Sequence, residues 1–385
     1  MNKEILFYGS GITGPSHLWM RRQFEFLLPY VHTVVEHQVP DLELEKTTKL
    51  ILLPNRKKTA LKSIQLVSDI LTDLKQRQIL KRAVSKRDIK KVIVHFLFNA
   101  VPHRKVWESV KKPVFVHCHG LDVTWEKTGS QRKWRKLWWG DYVEEVLKLS
   151  DNVVFVANSN FTKKKLTDIG IDDARVNVIS PGVPVSENFL KRKKTKENLS
   201  ILFIGRLVDV KGPLELIRAF ELASSKGLNA RLIIAGDGPL FKECKKMTAN
   251  SDYSECITMT GAVSREEGER LRLEADIFSA HSCKGKVSKQ EESFGVAFTE
   301  AMAAGLPVVT GRSGSLPVII RHERDGFLFE PGDIESHAAY LLKLQNEPEL
   351  RLQMGMSAHK RAREHFSIEN EMKQLAILYG LHDET

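Results

Sequence analysis

Two acidic residues, Glu292 and Glu300, flank the short stretch Ser293, Phe294 and Gly295, and behind them runs Ala301-Met302-Ala303-Ala304-Gly305-Leu306-Pro307-Val308-Val309. The small loop 293–295 lets backbone N–H groups approach an anion where a helix is expected to begin near Val296, and the helix dipole adds to that attraction. Glu300 then falls one turn inside the helix, where a carboxylate can accept both hydroxyls of a ribose. Glu292 falls outside it, where it can meet sugar hydroxyls. An ordinary amphipathic helix with a capped start and Gly305 as its stop explains the helix. It does not explain an acid at both places.

This segment resembles the Glu-x7-Glu motif of the retaining, family-four group of GT-B glycosyltransferases, of the exopolysaccharide and lipopolysaccharide type. The rest of that family's pattern follows in order over most of 114–335. Gly205-Arg206-Leu207 with Lys211-Gly212 is similar to the segment whose two cations hold the diphosphate. The chemistry asks for them: a sugar leaving a nucleotide puts negative charge on the β-phosphate, and fixed cations aimed there stabilise it as it develops. Gly236-Asp237-Gly238-Pro239 is similar to the family's Gly-x-Gly-Pro turn, and Gly261-Ala262-Val263 to the loop that brackets the base. Nearer the start, His119-Gly120-Leu121-Asp122 resembles the family's His-Gly-x-Asp, which puts His119 at the donor sugar and Asp122 on the acceptor side.

The resemblance thus implies His119, Arg206, Lys211 and Glu292 as catalytic residues. It implies Gly11, Gly14, Gly205, Gly238, Val263, Ser293, Phe294, Gly295 and Glu300 as donor-binding ones. The implied substrates are a UDP- or GDP-linked hexose and a glycan or lipid-linked acceptor, with no cofactor and no metal. Two departures stand out: Val318 replaces the acid of the family's Gly-Gly-x-Pro-Glu, and residues 284–289 are unusually basic.

Two other constellations compete. Gly9-Ser10-Gly11-Ile12-Thr13-Gly14 follows a strand and has the Gly-x-Gly-x-x-Gly form of a dinucleotide loop, with Glu36 at the end of a second strand. That reading gives an NAD(P)-dependent oxidoreductase, but it explains none of 201–310. The same glycines also serve the transferase reading, as a turn whose backbone approaches the donor phosphates. His117 and His119 share a strand face as zinc ligands might, but no further ligand is paired with them in the sequence. His117 therefore reads as a satisfied structural histidine. A nucleotide-sugar binder without catalysis is a third alternative.

The elements that must position these residues are strands alternating with helices, the pattern of doubly wound parallel α/β sheets. Strands are expected at 4–8, 33–36, 92–96, 114–117 and 153–157, then at 201–204, 231–235, 257–260, 277–280 and 307–310. One or two basic helices are expected over 61–91 and helical closure over 339–365. Pro181-Gly182-Val183-Pro184 and the lysine-rich stretch after it read as a linker. The expected domains are an acceptor-binding one over 1–190, a nucleotide-sugar-binding one over 191–365, and a C-terminal helix over 366–385 that crosses back to the first.

A chain of 385 residues with 42% hydrophobic and 28% charged residues has material for two cores. Its formal charge is +11, and the whole excess lies in residues 1–190. A basic first half suits an anionic partner, whether phospholipid, a lipid-linked phosphate or nucleic acid, and equally a plain solvated basic surface; no apolar run is long enough to span a membrane, so a contact with its inner face would be peripheral. Trp134, Trp138, Tyr142, Val146 and Leu149 form a stripe at helical spacing beside cations, expected to pack on its own sheet from Tyr142 onward, while the tryptophans with Lys57, Lys58, Arg77, Lys81 and Arg82 would line an acceptor site or a membrane-facing patch. No nucleic-acid motif accompanies it. Four widely spaced cysteines favour a reduced, cytoplasmic setting.

Overall fold

The structure is a computed structural model and describes residues 3–9, 12, 18–39, 44, 47–55, 62–124, 141–187 and 198–381. The chain divides into two compact units, one of Met1–Ser180 with Met372–Thr385 and the other of Pro181–Glu371.

The first unit is built on strands Ile5–Tyr8 (β1), Val31–Glu36 (β2), Lys49–Leu52 (β3), Lys91–His95 (β4), Val114–Cys118 (β5), Val153–Ala157 (β6) and Val176–Val178 (β7). They form one parallel sheet in the order β3-β2-β1-β4-β5-β6-β7. A parallel sheet is covered on both faces, so its central strands read as unbroken apolar runs. All four residues of β1 and all five of β5 are buried. The sheet's order reverses between β1 and β4, which brings the loops after those two strands side by side.

The basic segment expected over 61–91 is a single helix, Lys62–Val84, and over 67–76 its facing is inverted. It buries Asp69, Asp73 and Gln76 and exposes Val67, Leu71 and Leu74 by 57%, 62% and 49%. Tyr142, Val146 and Leu149, from the far end of the aromatic stripe, pack on the core of this unit.

The second unit carries Leu199–Ile204 (β8), Ala230–Ala235 (β9), Ile257–Gly261 (β10), Ile277–Ser279 (β11), Val308–Gly311 (β12) and Gly326–Phe329 (β13). These are parallel in the order β10-β9-β8-β11-β12-β13, reversing between β8 and β11. Its core gathers Phe203, Phe220, Phe278, Phe298 and Phe327, each buried. Burying a side chain of that size contributes about 1.5–3 kcal/mol. The helical closure is three helices, Ile334–Asn346, Pro348–His365 and Ile368–Tyr379. The first break falls at Pro348, which has no N–H to continue a helix and starts the next one. The last helix begins in the second unit and ends in the first.

The sequence reading has no counterpart for β3, β7 and β13. All three are edge strands of three or four residues. An edge strand needs less apolar length than a central one, so its periodicity signal is short.

Candidate active site

Open α/β sheets bind ligands beyond the carboxyl ends of their strands, where the strand order reverses. In the second unit that point lies between β8 and β11, and the loops leaving these strands carry the paired charges. β8 runs into Gly205, exposed Arg206, and a turn of 3-10 helix at Asp209–Lys211. Gly212 follows at φ 58° and opens the helix Pro213–Ser225. Lys211 forms an ion pair with the buried Glu292 from the loop after β11, and its ammonium lies 5.4 Å from the centre of the Phe298 ring.

Several contacts fix the two partners. The backbone carbonyl of Glu292 accepts from Ser315 N–H at 2.8 Å and from the Ser315 hydroxyl at 3.1 Å. Phe294 is buried against Phe366, and Gly295 at φ 86° caps the helix Val296–Ala303, which starts where the sequence places it. Ser293 is half-buried beside them. Asp209 accepts from the N–H groups of Val287 and Ser288 at 2.7 and 2.8 Å, so the basic 284–289 loop docks on the turn that carries Lys211. These bonds hold the Asp209 carboxyl below its ordinary range, against the opposing pull of burial.

Glu300 lies in the helix Val296–Ala303 and faces Arg272 Nη1 at 3.3 Å. The sequence reading pairs Glu300 with no cation, and Arg272 sits in a strongly charged helix, Arg265–Glu274, that gives no signal of its own. The glycine turn after β9 interlocks with the β8 loop. A Cβ on Gly236 would stand 1.9 Å from the Gly205 carbonyl oxygen, and one on Gly238 2.6 Å from that of Leu207. Val263 is half-buried just past β10 and packs on the core.

Beneath Lys211 runs a chain of histidines whose tautomers the bonds determine. Gly332 N–H donates to His281 Nε2 at 2.9 Å, so the ring's proton is on Nδ1, 3.0 Å from His337 Nδ1. His337 then carries its proton on Nε2 and donates to Ser279 Oγ at 2.7 Å, while the Ser279 hydroxyl donates to Val309 O at 3.3 Å. Both rings are neutral. Burial lowers His281 to about 4 and takes His337 well below its ordinary value. The His281 backbone N–H donates to Lys211 O at 3.2 Å, which ties this chain to the cation's turn.

In the first unit the reversal point lies between β1 and β4. His119 follows β5, and its backbone N–H donates to Asp122 Oδ1 at 2.8 Å, while Leu97 N–H donates to Oδ2 at 2.9 Å. Burial pushes the Asp122 carboxyl up to about 6 although backbone N–H bonds pull it down. Asp122 is 0% exposed, so its part in the unit is to hold the turns after β4 and β5 together. Trp19 lies 4.2 Å from the His119 ring and Phe96 4.8 Å, centre to centre.

A third histidine, His95, stands beside His117 and His119, which the sequence reading did not pair with them. Parallel pairing sets His95 against His117, and the possible ligand atoms of His95, His117 and His119 lie within 4.8 Å of one another. His95 Nδ1 and His119 Nε2 share a hydrogen bond at 3.2 Å, and buried His117 bonds through Nε2 to the Tyr379 hydroxyl. Burial lowers His117 to about 3, which keeps that ring neutral within the cluster. Gly11 and Gly14 lie outside the described residues, as do Lys57, Lys58, Trp134, Trp138 and the lysine-rich stretch 191–196.

Residues 31–187 match the model of Glycosyltransferase Family 4, and residues 185–361 match that of Glycosyl transferases group 1. The chain belongs to the family-four glycosyltransferases. The amylovoran biosynthesis glycosyltransferase AmsK of Erwinia amylovora is 29% identical over 290 residues, covering 74% of this chain and 68% of AmsK. The GDP-mannose-dependent alpha-(1-6)-phosphatidylinositol monomannoside mannosyltransferase of Mycobacterium tuberculosis is 25% identical over 257 residues, 64% of each chain. Anabaena Alr3699/HepE, solved in complex with UDP-glucose, matches with a TM-score of 0.73 at 16% identity, over 98% of this chain and 99% of that one. That likeness is one of fold: with two parallel-sheet α/β units, this family-four transferase has the GT-B architecture.

Membership removes the oxidoreductase alternative, and the structure gives a physical reason. Glu36, which a dinucleotide fingerprint needs at a ribose, is 2% exposed at the end of β2, and it accepts from Ile12 N–H at 3.2 Å.

Proposed function

We propose that this transferase moves a hexose-type sugar from a UDP- or GDP-sugar to a glycan or lipid-linked acceptor, with retention of configuration and without a bound metal. The observation that carries the reading is the Lys211–Glu292 ion pair, held at the β8/β11 reversal point beside the αL glycine that opens the helix Val296–Ala303. A diphosphate meeting Lys211 and Arg206 would share their charge, and the backbone N–H groups of 293–296 add a helix start. Glu292 is then left to the sugar hydroxyls and Glu300 to the ribose, with Gly205, Gly238, Ser293 and Phe294 shaping the loops and Val263 beside the base.

As the bond from the anomeric carbon to the β-phosphate oxygen breaks, its electron pair goes to the phosphate, where Arg206 and Lys211 stabilise the charge. The acceptor oxygen attacks from the same face and gives its proton to that phosphate oxygen. We assign the acceptor to the first unit, with His119 as its polar group toward the reacting sugar and Asp122 as the carboxyl that holds the His119 turn. Its likeness to an amylovoran biosynthesis glycosyltransferase and to a phosphatidylinositol monomannoside mannosyltransferase supports a place in polysaccharide or glycolipid assembly.

A contact with an anionic membrane surface belongs to this reading. The helix Lys62–Val84 turns Val67, Leu71 and Leu74 outward beside exposed Lys75, Lys81 and Arg82, the pattern of a helix that lies in a headgroup layer. No described helix is long and apolar enough to cross a membrane.

A panel of UDP-, GDP- and ADP-sugars, assayed for slow release of free sugar, tests the transferase reading. Release from one donor, reduced by Lys211→Ala, is expected. Tight binding of a donor with no release at any enzyme concentration would make the protein a nucleotide-sugar binder instead.

A further inference from the structure

His95 is the last residue of β4, and Phe96, directly after it, has φ 68°. A bulky side chain avoids that region, so the surrounding bonds must hold it there. Phe96 N–H donates to His117 O at 3.0 Å, and the next N–H, that of Leu97, reaches Asp122 at 2.9 Å. The chain is thereby pinned on both sides of the bend, with the His95 ring fixed against β5. His95 itself is 0% exposed and stacks on His117 at 4.4 Å. Its ring also meets that of His119: the two ring planes are parallel within 4°, with Nδ1 of His95 3.2 Å from Nε2 of His119. Two imidazole nitrogens at that separation share one proton between them.

We propose that His95 is a positioning residue for His119: the shared proton locks the tautomer and ring plane of His119 and commits its Nε2 to the protein. The inference rests on the transferase reading above, in which His119 meets the reacting sugar. It adds that His119 acts through Nδ1, the ring's other polar atom, and that a buried residue on the neighbouring strand makes it do so. Trp19 and Phe96 pack against the same ring at 4.2 and 4.8 Å, so aromatic contacts hold it as well as the shared bond. With one proton between its members, the pair cannot exchange tautomers ring by ring.

The test compares wild type with His95→Phe, which keeps an aromatic ring in the stack but removes the bond, and His95→Gln, which restores a polar partner. The first readout is the imidazole nitrogen spectrum of protein labelled with 15N-histidine, with His119 assigned by the signal lost in His119→Gln. Wild type is expected to show His119 as one neutral tautomer, with separate protonated and unprotonated nitrogens, and His95→Phe to show the two averaged. The second readout is release of sugar from the preferred donor. His95→Phe is expected to lower kcat by roughly 10- to 100-fold with donor KM within about twofold, the size of a misplaced catalytic group, and His95→Gln to recover most of it.

An unchanged His119 spectrum in His95→Phe overturns the proposal. So does a loss that falls on KM and melting temperature together and is not restored by His95→Gln, since that is the behaviour of a core residue alone. If wild type turns over no donor, the transferase reading falls, while the nitrogen spectra still decide whether His95 locks His119.

Discussion

The pairing of Lys211 with Glu292 has a specific energetic meaning. A lysine in a half-buried turn, held by a buried carboxylate and lying over the Phe298 ring, is already oriented before a second anion arrives. Orientation in advance is what makes a cation effective toward charge that appears only in the transition state. Lys211→Ala is therefore expected to lower kcat by roughly 10²–10³-fold, as loss of one such group does elsewhere, with a smaller change in donor KM. Steady-state kinetics with a saturating acceptor checks this. Arg272 acts differently: it lies 3.3 Å from Glu300, the acid assigned to the ribose. Arg272→Ala should raise donor KM by about tenfold, the cost of one charge-assisted bond, with kcat nearly unchanged. An equal fall in kcat would show that Arg272 reaches the reacting atoms.

Among the elements, the turn between β8 and the helix Pro213–Ser225 does most to place the site. Gly212 has φ 58°, and a Cβ there would lie 2.1 Å from the His281 carbonyl oxygen, so backbone passes backbone with no room for a side chain. Gly227 is a useful control, since it also has positive φ, at 98°, with nothing within 4 Å of its Cβ position. Gly227→Ala carries only the conformational strain, about 1 kcal/mol, whereas Gly212→Ala adds the clash and should cost several times more. Thermal unfolding of the two variants measures the difference, and equal melting temperatures would contradict the close packing. Gly212→Ala should also weaken donor binding at temperatures where it is folded, because Lys211 immediately precedes it. The 16-residue loop between β11 and the helix Val296–Ala303 is long for a βα connection. Its docking on Asp209 explains how such a loop still delivers Glu292 to a fixed place.

Across the whole molecule, buried titrating groups set the response to acid. His117 is lowered to about 3, His281 to about 4 and His337 well below its ordinary value, all by burial. Unfolded, each takes up a proton as pH falls through 6.5, so the unfolded state binds more protons and stability declines with acidification. Asp122 works in the opposite sense: raised to about 6 from 3.8, it binds its proton in the folded state first and favours folding as pH falls between those values. Three groups oppose one, so the melting temperature is expected to fall steadily from about pH 6.5 to 4. His337→Gln should flatten that slope even if it lowers stability at pH 8, and a slope unchanged in this variant would locate the proton uptake elsewhere. At the same scale, the charge excess of the first 190 residues, with the outward aliphatics of Lys62–Val84, predicts association with anionic vesicles. Sedimentation should show binding at low ionic strength, weaker at roughly 150 mM salt where the Debye length is about 8 Å. Leu71→Glu should reduce binding at both salt levels, which separates the apolar contribution from the Coulombic one.

What the sequence determined by itself was local in origin. The apolar runs of the central strands, the glycine at 295 that starts a helix, and the acids on either side of it depend on neighbours within a few residues. They were legible as a doubly wound α/β protein with a nucleotide-sugar motif. The edge strands β3, β7 and β13 were not, because three or four residues carry too little periodicity to separate a strand from a loop. Only the tertiary structure decided the non-local pairs: His95 beside His119, Arg272 against Glu300, Asp209 under the basic loop. Strand order and register set these meetings across 24, 28 and 78 residues of chain, and no spacing within the sequence encodes them. The inverted facing of the helix Lys62–Val84 over 67–76 is of the same kind, since which of its faces is covered depends on what the fold lays against it, not on its own composition.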